Sequence, residues 1–133
     1  MNRIKAFVTR IEKEQNLHII HFEAEHCALK MMGLELPKGL HENSYVTLGV
    51  KPSSVALGKN LGGILSYSNQ MQCTIDAVEK GKLLCSVYAS VGSITMQSII
   101  TRGSFDRMDL HVNDSVTLLI KASELFIVEV LDA

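Results

Sequence analysis

Apolar and polar residues alternate with a period of two along most of the chain. Ile4, Ala6 and Val8 interleave with Arg3, Lys5 and Thr9, and Met71, Cys73 and Ile75 with Gln70, Gln72 and Thr74. That period places one set of side chains on each face of an extended strand. The segments Ile4 to Ile11 and Met71 to Val78 are therefore predicted as strands opening two similar halves. Val116, Leu118 and Ile120 alternate with Ser115, Thr117 and Leu119, and Leu125 to Val130 follows as a nearly continuous apolar run. Runs rich in Val, Ile and Thr, bounded by Gly, Asn, Asp or Ser, read as short strands. A helical turn or two is predicted around Ser104 to Met108, with Ser104 as the expected N-cap.

The chain repeats itself. Leu40-His41-Glu42-Asn43-Ser44-Tyr45-Val46-Thr47-Leu48 returns as Leu110-His111-Val112-Asn113-Asp114-Ser115-Val116-Thr117-Leu118, and Lys51-Pro52-Ser53 returns as Lys121-Ala122-Ser123. Extended upstream without a gap, the match sets Gly33 opposite Gly103 and Met31 opposite Thr101. The starts align at a smaller offset, Asn2 with Asn69, so the difference in length falls in a mid-repeat turn. The glycine-rich stretch Gly58 to Gly63 reads as the linker. We expect an all-β protein of two tandem OB-like five-stranded barrels, over 1–60 and 64–133, packed together or exchanging strands because each half is small for an independent core.

Composition narrows the function. Of 133 residues, 47% are hydrophobic and 20% charged, with 13 Lys+Arg against 14 Asp+Glu and 5% aromatics. That balance disfavours a nucleic-acid platform built on phosphate contacts and base stacking. No apolar run is long enough to span a bilayer, and no apolar block follows the N-terminal charges, so neither membrane insertion nor a secretory signal is expected. Cys27, Cys73 and Cys85 form no C-x-x-C pair and read as reduced thiols of a cytoplasmic protein. His18, His21, His26 and Cys27 carry metal-ligand chemistry, but their spacing favours surface or turn roles over a metal site. His41 and His111 recur before equivalent strands, which points to a shared turn contact. No nucleophile elbow, zincin helix or Walker loop is present, so no enzyme and no organic cofactor are expected.

Three motifs of the second half occur in order: Ile100-Thr101-Arg102-Gly103-Ser104, then Leu110-His111-Val112-Asn113-Asp114-Ser115-Val116, then Ile120-Lys121-Ala122-Ser123. Together they resemble the TOBE domain of molybdate-binding proteins, the molbindins, and the pair of repeats resembles a di-barrel molbindin. The resemblance implies a molybdate or tungstate ligand held between barrels, with no reaction catalysed. It also implies a homo-oligomer, dimer or trimer, since one such site draws groups from two barrels. Its alternative is a ligand-free regulatory module associated with a molybdate transporter or a regulator.

A tetrahedral dianion presents only hydrogen-bond acceptors, so its site needs converging donors. Lys121 supplies charge, Ser123 a hydroxyl two residues on, and Ala122 a backbone unobstructed by side-chain bulk; Thr101 adds a further hydroxyl. The family's Ser-Ala-Arg-Asn segment aligns with Ser66-Tyr67-Ser68-Asn69. Ser66 and Asn69 match, and Ser68 stands where the family has arginine. Lys51 and Ser53 are the corresponding donors of the first repeat, where Pro52 removes a backbone N–H and Met31 takes the place of the threonine.

Overall fold

The structure, a computed structural model, describes residues 1–131. It is all-β apart from one short helix and one 3-10 turn. The first half contributes β1 (Asn2–Glu14), β2 (Leu17–Ala24), β3 (Cys27–Gly33), β4 (Tyr45–Val50) and β5 (Ala56–Gly58). The second half contributes β6 (Asn69–Lys80), β7 (Leu84–Val91), β8 (Ile94–Thr101), the helix α1 (Arg102–Met108), β9 (Ser115–Ile120) and β10 (Phe126–Val130). Two five-stranded antiparallel sheets result, ordered β10-β4-β1-β2-β3 and β5-β9-β6-β7-β8.

Each sheet takes its fifth strand from the other half of the chain. β10 pairs with β4 through Phe126 opposite Gly49 and Ile127 opposite Leu48. β5 pairs with β9 through Ala56 opposite Leu119 and Leu57 opposite Leu118. Side-chain size alternates between the two pairings. Bulky Phe126 covers Gly49, while small Ala56 faces Leu119, so each cross-strand pair fills a similar volume. The exchange explains how two short repeats reach stability: each one's last strand covers an edge that would otherwise lie open. Inward residues of both sheets, among them Ile4, Val8, Ile20, Leu48, Met71, Ile75, Val87 and Ile120, join in one continuous core.

The two halves repeat each other in detail. β1 and β6 each carry a register shift, between Val8 and Arg10 and between Ile75 and Ala77. Asn43 and Asn113 both adopt left-handed backbone, at φ 75° and 76°, a conformation asparagine tolerates better than most residues. The following turns close with matching bonds, Ser44 Oγ accepting from the His41 N–H at 3.1 Å and Asp114 Oδ2 from the His111 N–H at 2.9 Å. The shared contact at the two histidines is thus made by their backbone N–H groups.

Two details differ from the sequence expectation. His18 pairs with Gly33 in the first sheet, and Cys85 with Ile100 in the second. Gly33 therefore corresponds to Ile100, Met31 to Ser98 and Leu34 to Thr101. The extra residues of the second repeat lie after β8, in the segment that folds as α1. An ungapped match carried upstream from the histidines crosses that insertion and misaligns β3 with β8. The N-cap of α1 is Thr101, whose side chain accepts from the Ser104 N–H, so the helix starts earlier than Ser104.

Candidate oxyanion site

At the end of β9 the chain leaves one barrel for the other. Ile120 is fully buried and Ala122 is buried, while Lys121 and Ser123 between and beyond them are exposed. The Met32 N–H of β3 donates to the Ala122 carbonyl at 3.0 Å, fastening this crossing to the first barrel. The Glu124 N–H donates to the Lys121 carbonyl at 3.0 Å and closes a tight turn. The turn presents the Lys121 ammonium and the Ser123 hydroxyl to solvent from a backbone anchored on both sides.

Asn69 lies beneath this crossing. It is fully buried at the start of β6, opposite Ile120. Its Oδ1 accepts from the Lys30 N–H at 2.6 Å, and its Nδ2 donates to the Lys30 carbonyl at 2.9 Å and to the Ile120 carbonyl at 3.1 Å. One side chain thus joins β3, β6 and the last residue before Lys121. Asn2 is its counterpart: Nδ2 donates to the Gln97 carbonyl and Oδ1 accepts from the Gln97 N–H, both at 2.8 Å. Lys30 and Gln97 are edge residues whose peptide groups face the other barrel, and an asparagine amide is the side chain that satisfies a donor and an acceptor together.

Ser66 and Ser68 are exposed on the extended segment leading into Asn69. Ser68 also borders a hollow of about 440 Å³ on the first barrel, lined by Thr9, His21, His26 and Lys30 among others. Lys121, Ala122, Ser123, Asn69 and Ser68 accordingly gather at one seam between the barrels. Thr101 does not join them in its hydrogen bonds. It ends β8 opposite Leu84, and its Oγ1 accepts from the Ser104 N–H and pairs with the Ser104 hydroxyl, both at 3.1 Å. The residue of the first repeat that corresponds to it is Leu34, which is exposed and has no hydroxyl.

Lys51 and Ser53 lie at the pseudo-equivalent crossing. There the Ser54 N–H donates to the Lys51 carbonyl at 2.9 Å, and Ser98 Oγ donates to the Val55 carbonyl at 2.6 Å. The two crossings touch, since Ser54 Oγ donates to Glu124 Oε2 at 3.2 Å. Sequence reasoning passed over Glu124, Lys30 and Asn2. The recurrence of Asn2 as Asn69 was a signal for a paired structural role.

The histidines are dispersed. His21 Nε2 lies 2.5 Å from Glu12 Oε1 and 3.1 Å from Arg10 Nη2; the His21 contact, then Arg10, holds the Glu12 carboxyl below its usual range. His26 sits in a left-handed turn at φ 64°. Among the described residues, no three His, Cys, Asp or Glu side chains gather to hold a metal ion. No helix among them is long and apolar enough to cross a membrane.

Residues 65–127 match the family model of the TOBE domain, a stretch that begins just before Ser66 and ends beyond Ser123. The second half of the chain is thus similar to a TOBE domain. No curated protein matches by sequence. Among solved structures, the fold is similar to that of the cytoplasmic molybdate-binding protein ModG with molybdate bound. The TM-score is 0.89 at 21% identity, over 95% of this chain and 94% of that chain. The TOBE resemblance read from Ile100 to Ser123 and the all-β architecture of two five-stranded sheets are thereby shown.

Proposed function

We propose that this protein binds molybdate or tungstate in the cytoplasm and serves as a store, buffer or sensor linked to molybdate transport, without catalysing a reaction. The observation that carries this reading is the crossing Lys121-Ala122-Ser123, which lies within the TOBE segment and is tethered by Asn69 and Met32. A lysine ammonium and a serine hydroxyl held on an anchored turn supply charge-assisted donors to a dianion. Ser66 and Ser68 are the nearest further hydroxyls along the chain. Because Lys121 and Ser123 are open to solvent in a single chain, a second copy completes the enclosure. Its Thr101 is the complementary group, and the assembly is a dimer or trimer. Selection over sulfate, which has the same charge and shape, comes from the size of that enclosure.

One observation favours a second reading, a ligand-free interaction module: Ser68 stands where the family carries arginine, which removes a charge and a rigid fork of donors. Calorimetric titration with molybdate, tungstate, sulfate and phosphate separates the two. Micromolar binding of molybdate or tungstate, with sulfate and phosphate weaker, is the expected result. No heat and no thermal shift at millimolar molybdate or tungstate would overturn it in favour of the interaction module. Light scattering shows a dimer or trimer on the first reading, and a 14.7 kDa monomer with and without oxyanion would count against the shared site.

A further inference from the structure

Two cysteines lie on the strands that meet where β3 of the first barrel packs on β6 of the second. Asn69 fixes the relation of these strands by bonding both peptide groups of Lys30. Three residues back along β3 from Lys30 is Cys27, and four residues forward along β6 from Asn69 is Cys73. Lys30 lies at Asn69 while Met32 reaches Ala122, two residues beyond the Ile120 that pairs with Asn69, so β3 runs antiparallel to β6. At about 3.3 Å per residue the two walks bring these positions abreast. The burial pattern agrees. Cys73 shares the inward face of β6 with Asn69 and Met71, Cys27 shares the inward face of β3 with Leu29 and Met31, and both pack in the same core. Burial first, and the neighbouring Cys27 sulfur second, push the Cys73 thiol up to about 12.

The fold does not require sulfur here. At the pseudo-equivalent seam, where β1 meets β8, Ala6 corresponds to Cys73 and Ile94 to Cys27. Ala6 pairs with Val46 as Cys73 pairs with Val116. Ile94 follows the β7–β8 turn as Cys27 follows the β2–β3 turn. One seam is closed by hydrocarbon and the other by two thiols.

We propose that Cys27 and Cys73 are an oxidation site, joined by peroxide into an intrachain disulfide that staples the two barrels. Cys27 is half-buried and meets the oxidant, whereas Cys73 is shielded. Burial first, and Glu25 second, hold the Cys27 thiol above its ordinary value, so it is the minor thiolate form that attacks a peroxide oxygen. An S–O bond forms, the O–O bond breaks, and hydroxide leaves and takes up the thiol proton as water. The Cys73 sulfur then attacks the Cys27 sulfenic acid. The S–S bond forms, the S–O bond breaks, and the departing hydroxide carries off the Cys73 proton as a second water. The two sulfurs lose two electrons in all, and the peroxide oxygens gain them. A dithiol reductant reverses the link. The staple joins the two strands that Asn69 already ties beneath Lys121, so oxidation reinforces the seam bearing the proposed oxyanion site without consuming any of its donors.

The test uses the full-length reduced protein exposed to hydrogen peroxide, followed by intact-mass and non-reducing peptide analysis. The expected product is a monomeric chain lighter by about 2 Da, with a Cys27–Cys73 linked peptide. Its thermal midpoint rises by about 5–15 °C and returns with dithiothreitol. Cys85→Ala retains the link. Cys27→Ser and Cys73→Ala each abolish it, and alanine at the latter position is what the equivalent seam already accommodates as Ala6. Addition of oxygen at Cys27 without the loss of mass, a link to Cys85, or a link between chains would overturn the proposal.

Discussion

Replacing Asn69 with alanine tests the seam on which the site is built. The side chain is fully buried and makes three hydrogen bonds, two to Lys30 and one to Ile120. At about 1 kcal/mol of net stability for each, Asn69→Ala costs about 3 kcal/mol, because no water replaces the lost partners at a buried strand edge. For a chain of this length that lowers the thermal midpoint by about 10 °C. Asn2→Ala is the internal control: it removes two bonds at the equivalent seam and costs about 2 kcal/mol. Asn69→Asp keeps the acceptor for the Lys30 N–H but loses both donor bonds and buries a charge, so it destabilises at least as much as alanine. Urea unfolding followed by far-ultraviolet circular dichroism gives the three values, with an unchanged denaturant slope confirming the same folded state. A loss under about 1 kcal/mol for Asn69→Ala, or a greater loss for Asn2→Ala, would show that the barrels are not held by these amides.

Other outcomes follow from the same geometry. On the proposed function, Lys121→Ala abolishes molybdate binding in calorimetry. Ser68→Arg strengthens it by one to two decades, the equivalent of about 1.5–3 kcal/mol for a restored charge-assisted bond. Gly49→Leu places a side chain against Phe126 and Val128 and costs about 1–3 kcal/mol by overpacking. Adding Phe126→Ala recovers part of that loss in a double-mutant cycle, since the result imitates the Leu119 and Ala56 pair. Asp114 is held below its usual range first by the His111 N–H and then by the Lys59 ammonium. A folded value below the unfolded one contributes stability above the ordinary carboxylate value of about 4, which is lost as pH falls through the folded value. Asp114→Ser, which copies Ser44, should preserve the turn while flattening that part of the acid-unfolding curve.

What the sequence alone determined was local or periodic. Alternation over Ile4 to Val8 and Met71 to Ile75 identified strands, because side-chain direction in a strand depends only on neighbours. The recurrence from Leu40 and Leu110 identified two copies, and the ordered motifs from Ile100 to Ser123 pointed to the TOBE-like half and to Lys121 and Ser123 as the proposed donors. Pairing was decided elsewhere. β5 and β10 exchange barrels because the nearest open edge with complementary volume lies on the other half, Leu119 for Ala56 and Gly49 for Phe126, and such complementarity depends on three-dimensional packing. The same non-locality hid the seam. Asn69 reads as one residue of a motif until folding sets it against the Lys30 peptide groups, and Thr101 reads as a free hydroxyl until the insertion after it becomes a helix that needs a cap. Periodicity chose the strands; edge satisfaction and volume, which only the folded chain brings together, chose their partners.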